Sequence, residues 1–209
     1  DGSNTLYVPD LDETYHSTHG AIQESMHIFI EMGLKANSKK QLRILEIGFG
    51  TGLNAYLTLL NSKVPVEYIT LEKYPVEPSQ IEKLNYPKLL QADNADTIFS
   101  MMHAAPWNQP VELTSHFRMQ KVKTDFCDFA PSGKFDLIYF DAFSPEKQPE
   151  MWELKQFQKL FNACHPGAIL VTYCAKGQVR RNMQSAGFIV ERLPGPPGKR
   201  EVLRGIKQE

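Results

Sequence analysis

Between Gly20 and Ala36 apolar residues recur at helical spacing, with Ile22, Met26, Phe29, Ile30 and Leu34 on one face. This predicts an amphipathic helix after the polar turn Tyr15-His16-Ser17-Thr18-His19-Gly20, with residues 1–14 as an arm before it. The pattern then shortens. Leu42 to Ile47 is a compact apolar run, Gly48-Phe49-Gly50-Thr51-Gly52 follows, and Leu53 to Leu60 returns to helical spacing. Strand, glycine turn and helix in that order make a βαβ nucleotide-binding unit.

Val66 to Leu71 predicts a second strand ending at Glu72, with Pro75 and Pro78 delaying the next helix. Residues 79–105 read as mostly helical, up to Pro106. Residues 111–117 and 119–125 alternate, as a hairpin or as one long bent strand. Phe135 to Phe140 is a buried strand ending at Asp141, residues 150–163 a helix, Ala168 to Tyr173 a strand and Gln178 to Ala186 a helix. Phe188 to Leu193 and Glu201 to Ile206 read as a closing antiparallel pair around Pro194-Gly195-Pro196-Pro197-Gly198. Strands alternating with helices and ending in a hairpin argue for α/β architecture with a mostly parallel sheet in one domain.

The length of 209 residues suits a single domain, and 42% hydrophobic with 22% charged residues excludes a disordered or coiled-coil chain. No apolar run reaches the roughly 18 residues of a membrane helix, and the first residues lack a basic-then-apolar export signal. Asp rather than Met stands first, so further residues are expected before it. Cys127, Cys164 and Cys174 are odd in number and without C-x-x-C spacing, which points away from a disulfide framework or zinc ribbon and toward a reducing cytoplasm. The net charge of −1 hides a polarity. From Lys176 onward eight Lys/Arg face three Asp/Glu, a surplus of +5, which leaves −6 on the first 175 residues. Such a basic segment is either a phosphate-binding face or solvated surface.

Open α/β sheets bind ligands at the carboxyl ends of their strands, where Glu46, Glu72, Asp125 and Asp141 stand. Gly48, Gly50 and Gly52 permit a tight turn that approaches a ligand closely. Charge distinguishes the ligands that use such turns. Glu46 before the turn opposes a pyrophosphate and suits a cation, which favours S-adenosylmethionine over NAD. Glu72 is placed for ribose hydroxyls and Asp125 for the adenine amine; singly, each is also explained as a helix cap or surface carboxylate. Asp141-Ala142-Phe143-Ser144-Pro145 resembles the Asp-Pro-Pro-Tyr type of loop that holds the attacking nitrogen in amino-group methyltransferases, the alternative being a turn whose Asp caps the helix near Glu150. His16 and His19 suit polar pocket lining better than a metal site, and none is expected. Met151, Trp152 and Phe157 suit helix packing better than base stacking.

Four longer blocks carry a family resemblance: Tyr15 to Glu24, Glu46 to Asn54, Asp141 to Trp152, and Thr172 to Phe188 with Gly198-Lys199-Arg200-Glu201. Together they resemble the methyltransferase module that completes 5-methylaminomethyl-2-thiouridine at the tRNA wobble position, found as half of the bifunctional MnmC proteins and alone as MnmD. The resemblance implies a Rossmann-like class I S-adenosylmethionine-dependent methyltransferase at 41–209, its mostly parallel sheet closed by the antiparallel hairpin, with 1–40 as an arm and helix covering the active site. It implies that Glu46, Gly48, Gly50, Gly52, Glu72, Asp125, Phe126, Ser17 and Glu24 hold S-adenosylmethionine, and that Asp141 faces the aminomethyl group. Phe143, Lys176, Arg180, Arg181, Lys199 and Arg200 would contact substrate or RNA at the anticodon loop. The FAD-dependent oxidase domain of the bifunctional members is not expected within this length, so a separate oxidase or precursor-forming enzyme would act upstream. The rival readings are a small-molecule amine methyltransferase or aminopropyltransferase-like enzyme, and a non-catalytic RNA-binding module that kept the cofactor turn.

Overall fold

The computed structural model describes residues 1–208. Two short strands, β1 (Tyr7–Val8) and β2 (Glu13–Thr14), pair antiparallel and shape the arm. The segment predicted as one helix follows as three pieces: α1 (Ala21–Ser25), a π-helical stretch over Met26–Glu31 and a 3-10 turn over Leu34–Ala36. Ile28, Phe29 and Ile30 are all buried in succession, which a single stripe on a regular α-helix does not allow. The segment is covered on two sides, by the helix after the glycine turn and by a central strand of the sheet.

Then come β3 (Leu42–Ile47), α2 (Leu53–Asn61) and β4 (Val66–Glu72), matching the expected βαβ beginning. The span 79–105 is broken into α3 (Pro78–Ile81), α4 (Tyr86–Leu90) and α5 (Ala95–Ala104). Proline opens α3 and α4, and Gln91 and Asn94 take left-handed backbone (φ 49° and 55°) between α4 and α5, so no continuous helix forms. β5 (Pro110–Thr114) and β6 (Phe117–Lys123) are a hairpin, not one bent strand. After β7 (Phe135–Phe140), a 3-10 turn over Pro149–Trp152 precedes α6 (Leu154–Asn162). β8 (Cys164–Thr172) starts four residues earlier than predicted, and α7 (Gly177–Ser185), β9 (Ile189–Pro194) and β10 (Glu201–Ile206) complete the fold.

The main sheet has eight strands in the order β5-β6-β4-β3-β7-β8-β10-β9. β6, β4, β3, β7 and β8 run parallel, β5 is antiparallel at one edge, and β10 lies antiparallel between β8 and β9. Both faces of β7 are buried, and its all-apolar run apart from Asp136 reflects that. One core face gathers Phe29, Tyr56, Tyr68, Phe117 and Tyr139, and the other Phe140, Trp152, Phe157, Met183 and Phe188. The register sets Ile47 beside Leu71 and Phe140, Glu72 beside Lys123, and Phe140 beside Thr172. Gly48, Lys73, Thr124, Asp141 and Tyr173 therefore leave the sheet along one edge.

Candidate active site

A cavity of about 840 Å³ opens along that edge, a size suited to a drug-sized organic ligand. Gly48 and Gly50 have φ of 95° and 50°, a region that side chains avoid. Space alone would also exclude a Cβ, which would stand 2.6 Å from the Asp141 carbonyl oxygen at Gly48 and 2.8 Å from the Tyr15 ring at Gly50. The turn is pinned by Gly48 N and Phe49 N, which donate to the Leu71 carbonyl at 3.1 and 3.0 Å. Glu72 fastens it from the next strand, accepting from Gly50 N at 3.0 Å and Tyr74 N at 2.8 Å. Burial raises the Glu72 pKa against the lowering effect of these donors.

Asp125 and Phe126 line the wall beyond Glu72. Both Asp125 oxygens have donors: Lys73 Nζ at 2.8 Å and Cys127 N at 2.7 Å. The Lys73 ammonium and these bonds hold its carboxyl below the usual range. Phe126 is buried beneath the Lys159 ammonium, 4.0 Å from the ring centre.

The opposite end is built from distant parts of the chain. Asp141 lines it, with Oδ2 accepting from Asn54 Nδ2 at 2.8 Å. Burial pushes the Asp141 pKa up to about 7, with Asn54 acting in the other direction. Asn54 belongs to α2, and the N-cap of α6 is Glu153, so Asp141 does not cap the helix near Glu150. Phe143 packs on Tyr15 with ring centres 5.1 Å apart, and its carbonyl accepts from Trp152 Nε1 at 2.8 Å. Glu13 Oε2 accepts from the amide and hydroxyl of Ser144 at 3.3 and 3.1 Å, tying the arm to the Asp141 loop. Glu24 accepts from Ser17 N at 2.9 Å and pairs with Lys199 Nζ at 3.0 Å. That ammonium lies 4.2 Å from the centre of the Tyr173 ring, whose hydroxyl donates to the Ala142 carbonyl at 2.9 Å.

Several expected residues stand elsewhere. Glu46 is fully buried under the glycine turn and does not line the cavity. Burial raises its pKa to about 8, which leaves it mostly protonated at neutral pH, so the negative charge expected before the turn is not presented to a ligand. Gly52 starts α2 outside the cavity lining. Lys199 faces inward, held by Glu24, where an outward phosphate contact was expected. Lys176 pairs with Glu146 of the Asp141 loop. Arg181 and Arg200 are exposed, Arg180 is half-buried, and none of the three lines the cavity. His16 lines the cavity as a neutral ring, its pKa lowered by burial to about 4, with Nε2 2.7 Å from the Thr51 hydroxyl. His19 packs under Gly198, outside the lining.

Sequence reasoning gave no role to Tyr15, Asn54, Glu13 or Tyr173. Tyr15, Asn54 and Tyr173 sit inside the Tyr15, glycine-turn and Thr172 blocks, and that proximity was the only signal. Among the described residues no group of three or more His, Cys, Asp or Glu is arranged to hold a metal, and no helix is long and apolar enough to cross a membrane.

Residues 97–208 match a family described as S-adenosyl-L-methionine-dependent methyltransferase. Two proteins named tRNA 5-methylaminomethyl-2-thiouridine biosynthesis bifunctional protein MnmC are similar over most of the chain. The one from Magnetococcus marinus is 32% identical over 97% of this chain, and the one from Leptospira borgpetersenii 30% over 93%. The chain spans 32% of the length of each. The crystal structure titled MNMC2 from Aquifex aeolicus superposes with a TM-score of 0.71 at 25% identity, covering 98% of this chain and 70% of that one.

Proposed function

Because this chain belongs to the S-adenosyl-L-methionine-dependent methyltransferases, with their Rossmann-like sheet, we propose that it methylates the primary amine of 5-aminomethyl-(2-thio)uridine at the tRNA wobble position. The observation that carries this reading is the position of Asp141. Its carboxyl lines the end of the cavity beyond the turn, and its own carbonyl meets Gly48. The turn fits the cofactor because Gly48 and Gly50 line the cavity in left-handed backbone, with no side chain standing between the main chain and a ligand beside Glu72.

When bound, S-adenosylmethionine supplies an electrophilic methyl group, and the chain's task is to bring a neutral amine nitrogen to it in line. Glu72, with Gly48 and Gly50, holds the ribose end, and Asp125 and Phe126 flank the adenine. Residues 1–40 cover the site through Tyr15, Ser17 and Glu24. An alkylammonium loses its nucleophilic lone pair to a proton, so the site needs an acceptor. Asp141, with a pKa near 7, takes that proton once the ammonium is bound. Phe143 lies against the base, and Arg181 and Arg200 meet phosphates. The base leaves the anticodon stack at small cost, since a loop is single-stranded. The free aminomethyl group is supplied by a separate reaction that removes a carboxymethyl substituent or forms the amine directly. Unpaired cysteines and an RNA substrate are consistent with a reducing cytoplasm.

The test is mass spectrometry of nucleosides from tRNA bearing the free aminomethyl group, before and after incubation with this chain and S-adenosylmethionine. Gain of one methyl on that nucleoside is expected. Methylation of free amines with no reaction on tRNA would replace this reading with a small-molecule methyltransferase, and binding of the cofactor without turnover would leave an RNA-binding module.

A further inference from the structure

Glu46, Asn54 and Tyr68 lie together beneath the glycine turn, and each has a buried polar atom without a partner: Glu46 Oε1, Asn54 Oδ1 and the Tyr68 hydroxyl. Their other atoms are committed. Thr70 Oγ1 donates to Glu46 Oε2 at 2.6 Å, and Asn54 Nδ2 donates to Asp141 Oδ2 at 2.8 Å. Two of the three orphans are acceptors, and a buried amide carbonyl set against a carboxylate is repulsive. An ionised Glu46 would also be a buried charge with no counterion, since its neighbours are Thr70 and Tyr68 on β4, Asn54 on α2, Tyr139 on β7 and Asp141 beyond it. Such a charge costs several kcal/mol unless paired. One proton resolves the conflict.

We propose that Glu46 acts as an un-ionised acid whose O–H donates to the Asn54 carbonyl, so that Asn54 is locked with its N–H on Asp141. The protonated oxygen keeps a lone pair for the Tyr68 hydroxyl, so that all three orphans find partners within the group. In this chain of contacts Glu46 and Asn54 are positioning residues. Neither touches a reactant; they fix which oxygen of Asp141 is occupied and which is free for the amine. The amide cannot reverse, because its carbonyl would then face the Asp141 carboxylate. This account rests on the role given to Asp141 above, and it reverses the role the sequence suggests for Glu46, a carboxylate facing a cationic ligand.

Glu46→Gln discriminates between the two, because a side-chain amide can donate to Asn54 but cannot pair with a cation. The Gln variant is expected to keep its affinity for S-adenosylhomocysteine and its kcat within about threefold, whereas Glu46→Leu and Asn54→Leu lower kcat by about tenfold, the scale of one lost buried hydrogen bond. In Asn54→Leu the acidic limb of the rate profile moves to higher pH, since Asp141 loses a donor that favours its ionised form. A second readout needs no RNA. At pH 6.5, where Asp141 is itself largely protonated, the infrared spectrum should contain a protonated-carboxyl band that persists in Asp141→Asn and is lost when Glu46→Gln is added to it. Absence of that band, or a Gln variant as impaired as Leu or at least about tenfold weaker for S-adenosylhomocysteine, overturns the proposal. Should the band be present while no tRNA is methylated, the Glu46 assignment holds and the substrate reading falls.

Discussion

The two ends of the cavity are made in different ways. The end at the glycine turn is backbone held by backbone, with Gly48 and Phe49 on Leu71 and Gly50 on Glu72, from elements adjacent in sequence and in the sheet. The Asp141 end is side chains held by side chains: Glu13 with Ser144, Glu24 with Lys199, Asn54 with Asp141. Its parts come from residues 13 to 199. A backbone cradle tolerates substitution of its neighbours and loses affinity when its anchor goes. A side-chain assembly keeps the ligand and loses geometry. Changes at the two ends should therefore separate cofactor affinity from turnover.

Asp141→Ala makes the sharpest break. Turnover on aminomethyl tRNA should fall by at least about 10²-fold, the scale of a positioned proton acceptor, while affinity for S-adenosylhomocysteine stays within a few-fold; single-turnover kinetics beside calorimetry measure both. Near-normal turnover would remove Asp141 from the chemistry. Glu72→Ala should do the reverse, weakening S-adenosylhomocysteine by about 10- to 30-fold through the loss of hydrogen bonds to a charged acceptor, with kcat at saturating cofactor little changed. Equal losses in both constants would mean that the two ends are not separable.

The pH dependence sharpens the same contrast. Asp141 must be ionised to accept a proton and its pKa stands near 7, so kcat/KM for the tRNA should rise by about eightfold from pH 5.5 to 6.5 and flatten above about pH 8. Asp125, held ionised by Lys73, should add no pH dependence of its own to S-adenosylhomocysteine affinity over that range. An affinity that tracks the rate would place the titrating group at the cofactor end. The smallest effect belongs to the exposed arginines. Arg181→Ala and Arg200→Ala should each flatten the dependence of log tRNA affinity on log salt by roughly 0.7 to 0.9, measured by filter binding. Lys199→Ala, removed from an inward pair, should alter turnover more than the salt slope.

The glycine-turn end of the cavity was legible as a shape because its information is local. A strand, three glycines in five residues and an acid at the end of the next strand lie within Leu42 to Glu72, and periodicity reads such short spans well. The Asp141 loop was legible for the same reason, as a strand end with an acid. The inward pairing of Lys199 was not legible, because a lysine in a Gly/Pro-rich segment with a surplus of +5 gives no sign of Glu24, 175 residues earlier. The burial of Glu46 was not legible for another reason. In a strand buried on both faces, alternation no longer tells an inward acid from a ligand-facing one, and only the neighbours Thr70, Asn54 and Tyr68 show where it points. The split of residues 20–36 escaped because periodicity assumes one covering surface, and Ile28 to Ile30 have two.

β10 lies between β8 and β9 although it follows both in the chain. β9 has no other partner in the main sheet, so the pair joins it as one hairpin, seated on β8 through β10. Lys199 rides in the connection of that hairpin. One hairpin therefore serves two ends: it covers the edge of β8, and it carries Lys199 to Glu24 in the polar wall of the cavity, so a change in its connection reaches sheet and site together.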